Sequence, residues 1–282
     1  MNHVITPQPH TPPLISIITI NLNNLDGLRK TIQSVLEQTY KNIDWIIIDG
    51  GSTDGSRELI EQNADRFAYW VSEPDEGIYN AMNKGIRMAN GKYVQFLNSG
   101  DSLWDKNILE RVFAKDYEAD ILFGDCNLVE NGEVKEMLHY PDVMSLREIL
   151  DINFVHNGMF FKRELFEQEL YDESVKISAD FKFNVKKVLE NKTFEHIPLI
   201  TIAYDATGIS ASQFDLLLEE QKEIASSLIS PSIMKDIDKL RDLLKDDCLE
   251  RIQAHRNRNR MFHKMVTFNL MVMDFLTRIG IR

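Results

Sequence analysis

From Leu14 to Asn98 the chain alternates short, wholly apolar runs with amphipathic ones, and few folds accommodate that pattern. LISIITI (14–20), IDWIIID (43–49), FAYWVS (67–72) and KYVQFLN (92–98) have the length and β-branched content of strands buried on both faces. Between them lie GLRKTIQSVLEQ (27–38), DGSRELIEQ (54–62) and GIYNAMNKGIRMA (77–89). In the first, Leu28, Ile32, Val35 and Leu36 fall on one helical face. Strand–helix units of this length predict a doubly wound α/β fold, a mostly parallel sheet with helices on both faces.

After Asp101 the pattern becomes mixed. ADILFGDCNLVE and EVKEML flank Asn131-Gly132, a two-residue hairpin signal. HNGMFFKRELF, ISADFKFNVKKVLE and TFEHIPLITIAY then predict strand, helix and strand on the same sheet. From Gln213 the sequence predicts long helices, the first two parted at Ser230-Pro231-Ser232. Trp45, Phe96 and Phe160 read as core.

Charge narrows the partners. The net charge is −12, yet residues 251–282 hold seven Lys and Arg against one acid, Asp274. The acidic body repels phosphates, which excludes a nucleic-acid-binding body. The basic tail, with Met265, Phe268, Leu270 and Phe275 among its charges, has the composition of an interfacial helix on anionic lipid. A helix covering its own domain or a second subunit fits the same pattern. The first 13 residues lack the basic and apolar regions of a signal peptide, and no run of about 18 apolar residues occurs. A cytoplasmic protein is expected, with peripheral contact at the inner face of the plasma membrane as one use of the tail. Cys126 and Cys248 lack metal-ligand spacing and read as buried thiols.

In open α/β sheets, ligands bind beyond the carboxyl ends of the strands. The residues leaving those ends are Asn21 to Asn24, Asp49 to Asp54, Ser72 to Asp75 and Asn98 to Asp101. Aspartates converge there, not the amides and lysines of a phosphate-binding loop. Gly50 and Gly55 have Walker-like spacing, but Ser56-Arg57 follows where Lys-Ser/Thr is required, and no GxGxxG follows the first strand. An acidic edge facing a phosphate ligand calls for a divalent cation between them. Asp54 reads as a helix cap.

The stretch from Ile15 to Asp101 resembles family 2 glycosyltransferases of the GT-A fold. ISIITINLNN, TIQSVLEQTY, WIIIDGGSTDGS and EPDEGIYNAMNKGIRMANGKYVQFLNSGDSL carry the likeness, in order. HNGMFFKRELF and SADFKF extend it to about residue 190. DGGSTDG, GIYNAMNKG and LNSGD resemble the bacterial branch that assembles exopolysaccharide, capsule or O-antigen. The resemblance implies a GT-A domain (14–212, with a nucleotide-binding half to 101 and an acceptor half from 102); an N-terminal extension (1–13) precedes it and a helical region (213–282), read from its composition, follows outside the resemblance. It further implies an inverting transfer from a nucleotide-diphosphate sugar, commonly a UDP-sugar, to a glycan or lipid-linked acceptor.

Residue by residue, the likeness places Ile20, Asn21 and Leu22 at the base and ribose, and Asp49 on the base. Asp75, Asn83 and Lys84 border the donor sugar and diphosphate, with Asn98 at the strand end beside them. Where the family often has Asp-Asp, this chain has Asp49-Gly50, and its Asp-x-Asp metal signature is thinned to Asn98-Ser99-Gly100-Asp101. Asp101 remains as the ligand expected for Mg²⁺ or Mn²⁺, bound with the diphosphate. Asp180, opening a helix in ISADF, matches the family's base, and a helix amino end favours its ionised form. His156 is expected to donate to a phosphate or an acceptor hydroxyl. The thinned metal signature leaves a non-catalytic binding protein as the alternative. A sugar nucleotidyltransferase would need a Gly-rich, basic loop after the first strand, which NLNNLDG is not.

Overall fold

A computed structural model describes residues 14–152, 154–207 and 213–245. The N-terminal extension, Cys248 and the basic tail lie outside the described residues. The chain divides into two compact units, Met1–Leu228 and Ile229–Arg282.

In the first unit, β1 (Ile15–Asn21), β2 (Ile43–Asp49), β3 (Tyr69–Ser72) and β4 (Tyr93–Phe96) form a parallel block in the order β3-β2-β1-β4. Ile17, Ile18, Ile46, Ile47, Val94 and Phe96 are fully buried there, as expected of strands covered on both faces. Three helices connect these strands: α1 (Leu25–Leu36), α2 (Ser56–Gln62) and α3 (Ile78–Met88). Asn24 caps α1 by accepting from the Gly27 amide at 3.1 Å. Asp54 is the expected cap and more: it accepts from Ser56 N (3.0 Å) at the start of α2 and from Leu25 N (2.8 Å) at the start of α1. Leu28, Ile32 and Val35 are buried as expected, whereas Leu36, at the helix end, is 37% exposed.

Beyond β4 the sheet becomes mixed. A short β5 (Ser102–Leu103) and α4 (Ile108–Val112) lead into the long β6 (Ile121–Glu130). β6 turns at Asn131 (φ 52) and Gly132 (φ 80) into β7 (Glu133–Leu138), the left-handed pair that a tight hairpin requires. Then follow α5 (Leu146–Asp151), β8 (Met159–Lys162), α6 (Glu164–Gln168), α7 (Ala179–Leu189) and β9 (Phe194–Asp205). β8 joins β4 and β6 antiparallel, β9 runs parallel to β6, and β5 closes the far edge against β9. That last pairing returns residues near 203 to the segment just after Asp101. α8 (Phe214–Leu228) completes the first unit.

In the second unit, α9 (Pro231–Lys245) carries i,i+3 ion pairs, Lys239 to Asp236 and Arg241 to Asp238. No helix among the described residues is long and apolar enough to cross a membrane.

Candidate active site

A cleft of about 900 Å³ opens at the carboxyl ends of β1 and β4. The expected Ile20, Asn21, Leu22, Asp75, Asn98, Asp101, His156 and Asp180 all line it. Asp49, Asn83 and Lys84 do not.

Asp49 is fully buried beneath the strand ends. Its carboxylate accepts from Asn21 Nδ2 (2.8 Å), Ser52 N (3.0 Å), Ser52 Oγ (2.6 Å) and Ser72 Oγ (2.6 Å). With both oxygens engaged, it ties β1, β2 and β3 together and shapes the floor from below. The residue expected at the base thus lies behind the cleft lining and not in it. Asp75 approaches the surface next to it instead. A Cβ added to Gly50 would sit 2.5 Å from Asp75 Oδ2 and 3.2 Å from Leu22 Cδ1. The Asp75 carboxylate takes the space that a side chain at position 50 would occupy.

Helix phase explains why Asn83 and Lys84 do not line the cleft. Tyr79 and Met82 of α3 face the cleft. Asn83 instead bonds the backbone of Tyr171 (2.9 and 3.0 Å) and Glu173 Oε1 (2.7 Å), and Lys84 pairs with Glu73 at 2.9 Å. The cation that does line the cleft is Lys30 of α1, the single Lys or Arg doing so among the described residues.

Asp101 sits at the cleft floor, 4% exposed. Its carboxylate accepts from Asn157 Nδ2 and, at 2.8 Å, from the backbone N–H of Asp205 at the end of β9. Thr31 Oγ1 donates to Asp101 O at 2.6 Å and fixes the turn. Burial pushes the Asp101 carboxyl up to about 7, and the neighbouring Asp205 charge adds to this, against the Asp205 amide, His156 and Lys30. Asp205, unforeseen from the sequence, thus supplies a second acid beside the thinned signature. The Asn98 side-chain oxygen is buried and has no partner among the described residues. These hard oxygen donors fit a divalent cation such as Mg²⁺ or Mn²⁺ whose remaining positions go to phosphate and water. No group of three His, Cys, Asp or Glu among the described residues could hold an ion unaided.

Asp180 lies in the first turn of α7. Its Oδ1 accepts from Tyr79 OH at 2.6 Å, and its Oδ2 lies 3.1 Å from His156 Nδ1. Burial alone would raise this carboxyl. The His156 ring, the hydrogen bonds from His156 and Tyr79, and the Phe181 amide override it and hold the group below its ordinary value. His156 opens a 3₁₀ turn, His156–Gly158, whose next residue is the Asn157 that bonds Asp101. One turn therefore reaches both acids. Behind it, Phe96, Phe161, Phe166, Tyr171 and Phe183 form an aromatic cluster. Phe96 contacts the His156 ring at 6.2 Å and Tyr171 packs on Tyr79 at 5.4 Å.

Lys30, Tyr79, Asn157 and Asp205 escaped the sequence reading. Tyr79 stood inside GIYNAMNKG and Asn157 beside His156, so proximity to named residues was the available signal. Asp205 had none, because only the β5–β9 pairing brings it to Asp101.

A mostly parallel, mixed sheet with a carboxylate-bearing cleft at its strand ends is the architecture of GT-A glycosyltransferases. The Glycosyl transferase family 2 profile matches residues 16–183. An uncharacterized glycosyltransferase of Mycobacterium tuberculosis is 35% identical over 208 residues, covering 71% of this chain and 78% of the relative. The chain belongs to glycosyltransferase family 2 and is a glycosyltransferase. A putative teichuronic acid biosynthesis glycosyltransferase of Bacillus subtilis is 32% identical over 145 residues, covering 49% of this chain and 57% of the relative. Among solved structures, S. aureus TarS 1–349 with UDP-GlcNAc superimposes with a TM-score of 0.61 at 17% identity, covering 79% of this chain and 70% of that one. The mannosyltransferase PcManGT of Pyrobaculum calidifontis, with GDP-Man and Mn²⁺, gives 0.55 at 16% identity, covering 93% and 86%. At these identities the two structures speak to the fold.

Proposed function

We propose that the chain transfers a sugar, with inversion, from a nucleotide-diphosphate sugar to a hydroxyl of a glycan or lipid-linked acceptor in surface-polysaccharide assembly. The observation that carries this reading is the juxtaposition of Asp101 and Asp180 in one cleft, each bonded to one of two consecutive residues, Asn157 and His156. In this reading Ile20, Asn21 and Leu22 border the nucleoside, and Asp75 takes the place of the missing second acid. Lys30 faces the diphosphate. Mg²⁺ or Mn²⁺, held by Asp101 with Asp205 and Asn98, would offset the charge that departs with the nucleoside diphosphate. The Asp180–His156 pair supplies the base that removes the acceptor proton, in line with the breaking bond. A binding protein without activity would have no use for that acid–histidine pair in the cleft.

The polysaccharide assignment is drawn from relatives, one named for teichuronic acid and another for PGL/p-HBAD biosynthesis. A uridine donor is favoured by the UDP-GlcNAc complex of TarS. The test is a thermal-shift screen of UDP-, GDP- and dTDP-sugars with Mn²⁺, followed by assay of nucleoside diphosphate release with the best binder. Stabilisation by a UDP-sugar and its turnover are expected. If no nucleotide-sugar raises the melting temperature, the non-catalytic reading replaces this one.

A further inference from the structure

Three side chains of GIYNAMNKG, on the donor-half helix α3, reach the acceptor half. Tyr79 OH donates to Asp180 Oδ1 at 2.6 Å, across 101 residues of sequence. Asn83 Nδ2 donates to Tyr171 O at 2.9 Å while its Oδ1 accepts from Tyr171 N at 3.0 Å, so one side chain satisfies both backbone groups of that residue. Asn83 and Asn80 also donate to the two carboxylate oxygens of Glu173, at 2.7 and 2.8 Å. Positions 79 and 80 lie one turn before 83, so all three fall on one side of the helix.

The segment they hold, from Tyr171 to Asp180, is the one that carries the base. Asn83 is 1% exposed, so its bonds do not exchange with bulk water. Tyr171 packs on the rings of Tyr79 and of Phe183 in α7, both at 5.4 Å. The same helix end is tied to the turn bearing Asp75: Gly77 N donates to Asp75 Oδ1 at 3.0 Å, and Glu76 N to Asn80 Oδ1 at 3.3 Å.

A carboxylate base works when a free lone pair points at the proton it removes. Each Asp180 oxygen holds one partner, Tyr79 OH or His156 Nδ1, and keeps a second lone pair. Partners on both oxygens stop the carboxylate from turning about its Cβ–Cγ bond, which sets the direction of those lone pairs. Tyr79 is buried, and burial with the neighbouring Asp180 charge pushes its hydroxyl well above the ordinary value. It therefore remains a donor throughout the neutral range.

Resting on the transferase reading above, we propose that Tyr79 is a positioning residue for the base Asp180, and that Asn80 and Asn83 hold the segment on which that base stands. GIYNAMNKG then links the Asp75 turn, at the nucleotide in that reading, to the group that deprotonates the acceptor.

The experiment uses the full chain, the nucleotide-sugar found by the thermal screen and Mn²⁺, with water as the acceptor. Tyr79→Phe removes only the hydroxyl and is expected to lower kcat by about tenfold, with donor KM within about twofold. The lost hydrogen bond favours the ionised carboxylate, so the acid limb of the kcat profile should move up by about 0.5–1 pH unit. His156 and the buried Tyr171, the other titratable groups whose charge meets Asp180 or Tyr79, are common to both proteins. In an Asp180→Asn background Tyr79→Phe should cost nothing further, since it acts through that carboxylate. ¹³C-aspartate NMR supplies a readout free of activity. The Asp180 resonance, assigned through Asp180→Asn, should titrate about 0.5–1 unit higher in Tyr79→Phe. Asn83→Asp keeps the side-chain shape but sets a second carboxylate against Glu173. It should lower kcat by about tenfold, and adding Glu173→Gln should restore most of that loss.

A kcat within about twofold of wild type in Tyr79→Phe, or an Asp180 titration that does not move, would overturn the assignment. So would a further loss from Tyr79→Phe in the Asp180→Asn background, which would put the hydroxyl to work on the donor or the fold. Wild-type turnover in Asn83→Asp would remove the asparagines from the proposal; if that variant fails to fold, Asn80→Ala takes its place, with an expected loss of about threefold. Each of these results leaves the transferase reading intact. A chain that binds no nucleotide-sugar ends that reading instead, and the carboxyl titration still decides whether Tyr79 governs Asp180.

Discussion

Two acids face the same cleft in opposite electrostatic states. Asp101 is almost wholly buried, and burial lifts its carboxyl to about 7. Asp180 is also largely buried, yet its partners hold it below the ordinary value. Burial penalises charge in both places, so the neighbours decide. Asp180 is answered by a histidine, a tyrosine hydroxyl and the amino end of a helix, and Asp101 stands next to a second acid, Asp205. One site has a hydrogen-bond partner for each carboxylate oxygen. The other holds excess negative charge that a cation can relieve.

The largest effect that could break this contrast is kinetic. Asp180→Asn should lower turnover by about 10²–10³-fold, since it disrupts the base assembly. Nucleotide affinity by calorimetry should change by less than about twofold, because in the proposed reading Asp180 faces the acceptor and not the nucleotide. A matching loss of nucleotide affinity would show that the two acids do not divide their work.

Stability against pH sharpens the contrast from the other side. The folded-state value of Asp101, about 7, lies above its ordinary 3.8. Between those values the folded chain keeps a proton that the unfolded chain releases, so stability falls as pH rises through that window. In EDTA, Asp101→Asn should therefore remove roughly 2–3 kcal/mol of the stability lost between about pH 5 and pH 8. Asp180 has the opposite sign: its contribution is present above the ordinary carboxyl value and is lost only as pH falls below it. Urea melts of both asparagine variants at the two pH values would test this. An unchanged pH slope in Asp101→Asn would mean that its carboxyl is ionised throughout.

The contrast also shows what a sequence can convey. The parallel block was legible because strands covered on both faces must be apolar along their length, and IDWIIID admits little else. The hairpin was legible because Asn131-Gly132 supplies two left-handed residues. Asp101 was legible as an acid leaving a strand end, whereas Asp180 was picked out only through the family resemblance. What a strand end does not tell is whether its acid points up or down. Asp49 stands at the end of β2, yet Ser52 and Ser72 claim its oxygens from beneath. Helix phase was not legible at Asn83 and Lys84: the cleft face of α3 is Ile78, Tyr79, Ala81 and Met82, and these two residues turn elsewhere. Asp205 was out of reach for a deeper reason. Its bond to Asp101 spans 104 residues and depends on β5 pairing with β9 at the far edge of the sheet.

Lys30 tests the cation side of the comparison. As the lone Lys or Arg lining the cleft among the described residues, it should face the diphosphate. Lys30→Ala is expected to weaken nucleoside diphosphate binding by about tenfold, the scale of one charge-assisted contact. Lys84→Ala should leave binding within about twofold, since that lysine sits in an exposed ion pair with Glu73. A larger loss at Lys84 would restore the phosphate role first expected for it. Calorimetry with the nucleoside diphosphate alone distinguishes the two lysines without need of the donor sugar.

The smallest effect should come from Gly50. A methyl group there would lie 2.5 Å from Asp75 Oδ2, closer than any stable contact allows. The backbone has no reason to move, because the obstructing atom is the tip of a side chain at the cleft surface, anchored to the Gly77 amide at 3.0 Å. Gly50→Ala should therefore swing the Asp75 carboxylate aside and leave the sheet intact, with a stability loss within about 1 kcal/mol. If Asp75 stands in for the second acid of its relatives, that displacement weakens nucleotide binding by roughly threefold, and Asp75→Ala alone weakens it as much. Combining the two should then add nothing, because a carboxylate already absent cannot be displaced. Additive losses in the double variant would mean that Gly50 acts on the nucleotide by some route other than Asp75. The donor edge would then rest on the Asp101 side of the cleft alone.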